Sequence, residues 1–311
     1  MEIGGYFEFE DYRGEEYHTG CLRINTARNC LKYLIEARNI KKLWISRWNC
    51  DAVLSTCRKS GIEIEFYDLD EYFRPIMPCR YTTDDWVYVV NYYGQVPDIR
   101  FEHMILDNVQ AFFEKPQTGI DTIYTCRKFF GVTDGAYLYT DSRIGRALER
   151  DRSYDRIGYL AGRYEADASD FYGAYQKNEE LLDSLPLRYM SPFTENILRS
   201  IDYDCVRKRR EQNFAYLHSR LQGVNLIDIK VPVGPFAYPL RVKNGGRLRK
   251  ALQAQHIYIA KLWPNVVDSN EGILAEDILP IPCDQRYSME HMSIVLEKIT
   301  SFMMQNKTCS L

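Results

Sequence analysis

Through the first 140 residues, short apolar runs that each end in a polar residue alternate with stretches of helical periodicity. That alternation leaves few folds open, because strands separated by helices line up as a mostly parallel sheet covered by helices. Residues 26–37 carry Ala27, Cys30, Leu31, Leu34 and Ile35 at helical spacing, with Asn25 or Thr26 as N-cap. Residues 42–46 (KLWIS) form a short strand, and 51–59 a second amphipathic helix with Ala52, Val53 and Cys57 inward and Gly61 as its stop. Ile62, Ile64 and Phe66 alternate as the next strand, and further strands are expected at 87–90, 104–106, 122–125 and 136–139.

The pattern then changes. Residues 141–195 are charged and rich in tyrosine, and read as helical at 143–152 and 170–182, with breaks at Pro186 and Pro192. A long helix is expected over 194–221, with Val206, Phe214, Leu217 and Leu221 inward and Gly223 at its end. Strands at 226–229 and 237–242 and helices at 247–255 and 288–302 complete a smaller α+β part. Two domains follow, 1–195 and 196–311, as the length of 311 residues also suggests.

Composition narrows the function classes. Hydrophobic residues at 45% and charged residues at 27% describe an ordinary globular chain, and a net charge of −3 gives no electrostatic reason for nucleic-acid binding. No apolar run approaches the roughly 20 residues of a membrane span, and the acidic N-terminus (MEIGGYFEFEDYRGEE) lacks the blocks of a signal peptide. Nine cysteines include no Cys-x-x-Cys pair, and five histidines no His-Glu-x-x-His, so free thiols in a cytoplasmic protein without a metal site are expected. The basic run at 207–210 reads as the wet face of the long helix.

In a parallel sheet the ligand crevice lies beyond the carboxyl ends of the strands, which singles out Arg47 and Trp48, Asn91, Asp107 and 125–128. Asp107 ends an apolar run, and Gln110 follows three residues later. Lys128 sits in the loop TCRKFFG between two strands, where two phenylalanines and Arg127 both favour the neutral, nucleophilic amine. A strand-end Asp with a Lys on a nearby loop is what a pyridoxal phosphate site requires: the carboxylate holds the ring nitrogen protonated, and the lysine carries the aldehyde as a Schiff base. The helix starting near Thr26 offers free N–H groups to the phosphate, and Trp48 a flat face to the ring.

Together these segments resemble the DegT/DnrJ/EryC1/StrS family of pyridoxal-phosphate sugar aminotransferases, which have the aspartate-aminotransferase-like fold type I. Residues 25–31 (NTARNCL) are similar to the family's phosphate-binding helix start, 46–50 (SRWNC) to its proline-aromatic-threonine loop, and 62–70 (IEIEFYDLD) to its strand closing in Asp-x-Asp. Asn91-Tyr92-Tyr93-Gly94 resembles its His-x-x-Gly strand end, 106–110 (LDNVQ) its Asp-x-x-Gln/His motif, and 125–135 (TCRKFFGVTDG) its lysine loop. Residues 187–198 (LRYMSPFTENIL) and 279–286 (LPIPCDQR) resemble its Asn-Tyr-Arg-Met segment and its late Leu-Pro-x-His turn.

The resemblance implies that Lys128 holds the cofactor aldehyde, Asp107 pairs with the ring nitrogen, Gln110 sits against the ring or its hydroxyl, and Trp48 covers it. Thr125 reaches the phosphate, helped by Thr26, Ala27 and Arg28. It implies a homodimer and transfer of an amino group, usually from glutamate, to a keto group on a nucleotide-linked sugar. Several positions depart from the family pattern. Ala27-Arg28 replaces a small Gly-Thr/Ser pair, which either crowds the phosphate or adds a guanidinium to clamp it; Ile123 stands at the usual serine, and Leu187 at the partner-contacting asparagine. The chain is also shorter than the family norm between 140 and 198. A non-catalytic binding or regulatory subunit is the alternative these departures raise. Trp263 either lines the substrate pocket or belongs to the core.

Overall fold

The computed structural model describes residues 3–95, 99–264, 266 and 275–308. Its frame is an eight-stranded sheet of β1 (Leu22–Ile24), β2 (Lys42–Ser46), β3 (Glu63–Leu69), β4 (Pro75–Ile76), β5 (Trp86–Val90), β6 (Met104–Asp107), β7 (Asp121–Thr125) and β8 (Ala136–Tyr139). The strands lie in the order β1-β8-β7-β6-β5-β2-β3-β4. The central five, from β7 to β3, pair in parallel, while β8, β1 and β4 join antiparallel. Side chains alternate across this sheet as the strand period requires. Tyr88, Val90 and Ile105 face the main core, and Val87, Val89, Met104 and Leu106 face a second cluster with Trp44 and Tyr67.

Helix α1 (Ala27–Ala37) is capped by Thr26, whose hydroxyl accepts from the Asn29 N–H at 3.1 Å, and buries Cys30, Leu31, Leu34 and Ile35. Helix α2 (Asp51–Lys59) buries Val53 and Cys57 as its spacing predicts. Two short helices, α3 (Gly158–Glu165) and α4 (Tyr172–Leu182), pack against each other, and α5 (Pro192–Leu198) follows. The C-terminal part contains α6 (Tyr203–Leu221), β9 (Tyr238–Arg241), α7 (Gly245–Gln253), β10 (Ile278–Ile281) and α8 (Met289–Thr308), with β9 and β10 antiparallel. Phe214 and Leu217 of α6 and Leu279 and Ile281 of β10 share the main core with the sheet.

Four sequence readings are corrected. Residues 143–152 are not a helix: their backbone extends alongside Tyr189, with Asp151 N–H donating to the Tyr189 carbonyl and Tyr189 N–H to that of Glu149, both at 2.9 Å. The helix expected over 194–221 is two helices, because Ser191 and Asp202 each cap a separate start, accepting from Thr194 N–H and Cys205 N–H. Residues 226–229 are not a strand. The Asn225 side chain takes the Arg241 N–H and donates to the Pro239 carbonyl, both at 2.9 Å, filling the ladder sites beside β9. In the basic run 207–210, Arg210 is 1% exposed rather than on the wet face. Among the described residues no helix is long and apolar enough to cross a membrane, no cluster could hold a metal, and all eight described cysteines are free.

Candidate active site

The sheet order fixes where a ligand belongs. The chain runs from β2 to β3 on one side and returns to β5 on the other side of β2, so the order reverses between β2 and β5. Strand β1 is antiparallel to β8, which is antiparallel to β7. Strand β1 therefore runs with the parallel strands, and the N-terminus of α1 opens at their carboxyl edge. The loop 126–135 leaves β7 at that same edge, and Asp107 is the last residue of β6. Three separate segments, α1, β6 and the lysine loop, thus meet on one rim. Hydrogen bonds tie them there: Gly135 N–H donates to the Asn25 carbonyl at 2.6 Å, and Asn25 N–H to that of Arg188 at 3.0 Å.

Asp107 is 4% exposed; its Oδ2 accepts from the Tyr88 hydroxyl at 2.6 Å and its Oδ1 from the Val109 N–H at 2.9 Å. Burial pushes its carboxyl above the ordinary value, while Tyr88, Lys128 and Val109 oppose the rise. Lys128 is open to solvent, yet protein is dense around its amine. Burial holds its ammonium below the usual lysine value against the pull of Cys50 and Asp107, and the neighbouring Arg127 adds to the drop. Among the described residues Lys128 Nζ makes no ion pair; it lies 5.7 Å from the centroid of the Phe236 ring. An unpaired amine whose pKa burial lowers, within electrostatic reach of a buried carboxylate, has the makings of a nucleophile.

The remaining expected residues fall into two groups. Thr125 closes β7, and Thr26, Ala27 and Arg28 form the start of α1, all on the rim. The Arg28 side chain turns to Asp183, the C-cap of α4. Gln110, 2% exposed, accepts the Tyr93 N–H at 2.9 Å and so supports the left-handed turn at Tyr93 (φ 55°) after β5. Trp48 is wholly buried, stacked on Tyr92 at 5.2 Å between centroids and met edge-on by Trp263 at 4.6 Å, so no ring face is open. Its indole N–H has no partner among the described residues.

Several supporting residues escaped the sequence reading. Tyr88 was visible only as a strand residue; its partnership with Asp107 depends on the register that sets Val90 opposite Asp107. Arg210 donates to the carbonyls of Pro235 at 2.8 Å and Phe129 at 3.3 Å, and Gln285 adds a bond to Phe129 at 2.7 Å. The residue after Lys128 is therefore pinned from two distant elements. At the other end of the loop Asp134, fully buried, accepts from the Ser191 N–H at 2.9 Å, the Ser191 hydroxyl at 2.8 Å and the Thr194 hydroxyl. An apolar-looking run beside a lone Asp was the only sequence signal for that network.

No protein-family model matches the chain, and no curated protein matches it. Solved structures do. The sugar aminotransferase CalS13 from Micromonospora echinospora superposes with a TM-score of 0.63 at 13% identity, over 90% of this chain and 87% of that one. A DegT DnrJ EryC1 StrS aminotransferase from Brucella abortus gives 0.61 at 12%, over 91% and 85%. DesV from S. venezuelae, solved in complex with a ketimine intermediate, gives 0.63 at 16%, over 91% and 84%. The chain has the fold of these aminotransferases. It is fold type I, as the sequence resemblance implies, and the likeness extends through both the sheet and the C-terminal part.

Proposed function

We propose that this chain is a pyridoxal-phosphate aminotransferase of the DegT/DnrJ/EryC1/StrS kind, moving an amino group from glutamate to a keto-sugar carried on a nucleotide. One observation carries the reading: the unpaired amine of Lys128 and the buried carboxylate of Asp107 occupy one strand edge with the open N-terminus of α1. The residues fit the cofactor. Pyridoxal phosphate, when bound, supplies an aldehyde and a ring that spreads charge from the substrate carbon. Lys128 is the amine that would hold the cofactor through its aldehyde and would move the proton at the substrate carbon. Asp107, anchored by Tyr88 and Val109, accepts the hydrogen bond of the ring nitrogen. Thr125, Thr26, Ala27 and Arg28 would hold the phosphate, Gln110 supports the rim through Tyr93, and Trp48 packs behind it.

The same reading makes the protein a cytoplasmic homodimer with domains dividing near residue 195. Ile3, Tyr6 and Phe7 support the dimer: each is more than nine-tenths exposed on the N-terminal arm, apolar surface that a second copy would cover. Sedimentation velocity at twice the chain mass checks it. For the reaction, glutamate added to protein loaded with cofactor should shift the absorbance band and release one 2-oxo acid per site. A loaded protein whose spectrum no amino donor changes would instead be the non-catalytic subunit.

A further inference from the structure

The serine that the family resemblance would place five residues before the lysine is Ile123 here, so the anion needs other donors. Arg127 leaves the same loop as Lys128, and its side chain is only 16% exposed. It pairs with Glu179 of α4 and lies against Tyr159 and Tyr175, while its Nε finds no partner among the described residues. Arg28, in the first turn of α1, pairs with Asp183, the C-cap of α4. Glu179 and Asp183 are four residues apart on one helix and so share a face. One helix thus supplies a counter-ion to each of two arginines that come from different segments of the rim.

These two cations stand close. Burial lowers the Arg127 guanidinium below its usual value, and the charge of Arg28 lowers it further. Such a pair is held against both desolvation and mutual repulsion, an arrangement suited to an anion with two charges. The first turn of α1 contains no acidic residue, so the positive end of that helix is not neutralised by its own side chains. A third cation, Lys59, donates to the Asp183 carbonyl at 3.1 Å. A phosphate monoester dianion has the charge and the bidentate acceptor geometry for this set.

We propose that Arg127 and Arg28 form a two-guanidinium clamp for the cofactor phosphate, with Glu179 and Asp183 holding the clamp in place when no phosphate is bound. The inference rests on the function proposed above, and its test separates the two. Wild type, Arg127→Gln and Glu179→Gln are each incubated with pyridoxal phosphate or with pyridoxal, reduced with borohydride, and assayed for label at Lys128. Their melting temperatures are measured against added inorganic phosphate, with chloride at equal ionic strength as control.

Wild type should take up pyridoxal phosphate at a concentration at least about tenfold lower than pyridoxal. Arg127→Gln should close most of that gap. Glu179→Gln, which removes a competing carboxylate, should widen it and strengthen the stabilisation by phosphate, a gain that misfolding cannot imitate. An unchanged preference in both variants overturns the clamp. If neither aldehyde labels wild type, the aminotransferase reading falls. In that case stabilisation of wild type but not Arg127→Gln by inorganic phosphate still supports the clamp, and its absence overturns the clamp as well.

Discussion

Burial moves the two central ionisable groups toward neutrality, Asp107 upward and Lys128 downward, while each opposes the shift of the other. Under the proposed function Lys128 is the amine that would meet a carbonyl, and Asp107, held by Tyr88 and Val109, is the carboxylate that would accept a ring N–H. Both residues were legible in the sequence, because a polar residue directly after an apolar strand must emerge at the sheet edge. Tyr88 and Arg210 were not, because their roles depend on strand register and on contacts far apart in sequence. The same holds for His18, which is 2% exposed and packs 4.1 Å from the Tyr124 ring. Its Nε2–H donates to the Phe112 carbonyl at 2.8 Å, and burial lowers its pKa to about 4. Between that value and the ordinary histidine value of 6.5 the unfolded chain binds a proton that the folded chain does not. Stability is therefore full above pH 6.5 and falls as pH drops toward 4, by about 3 kcal/mol. Urea unfolding of wild type and His18→Gln across that window checks it: the variant should lose most of this slope, and an unaltered slope would exclude His18 as its source.

The elements that read correctly from sequence are α1 and α2, whose period is set by one buried face, and the central strands, short apolar runs buried on both faces. The misread ones were decided by hydrogen bonds. Asp202 restarts a helix where apolar spacing alone continues, and Tyr189 draws 149–151 into an extended pairing despite their helix-forming composition. A basic run signals a solvated face only when each member can reach water, and Arg210 instead lies with its guanidinium 4.5 Å from the Phe129 ring centroid. Helix α6 is thereby tied to the lysine loop. Replacing Arg210 with Met should cost on the order of 3 kcal/mol, since it strands the Pro235 carbonyl and weakens the hold on Phe129. Calorimetry should show a lower melting temperature, and borohydride labelling of Lys128 should weaken in the protein that remains folded. Unchanged labelling would mean that Gln285 alone fixes the loop.

At the scale of the whole molecule, the sheet topology does what no local motif can. It brings the start of α1, the end of β6 and the loop after β7, separated by up to a hundred residues, to one edge, with the C-terminal part packed over the same face. The mostly parallel sheet was readable from the alternation of apolar runs and helical stretches. The edge strands β1 and β4, of three and two residues, were not, because so few residues carry too little pattern; of the antiparallel pair, β9 falls within the strand expected at 237–242, while β10 was missed. The site follows from the topology, and its chemistry converges on a single nitrogen. The decisive measurement is therefore a peptide mass map of protein incubated with pyridoxal phosphate and reduced with borohydride. The account predicts one reduced cofactor per chain, attached at Lys128, and none in Lys128→Ala. Labelling spread over surface lysines, with Lys128 unmodified, would contradict it.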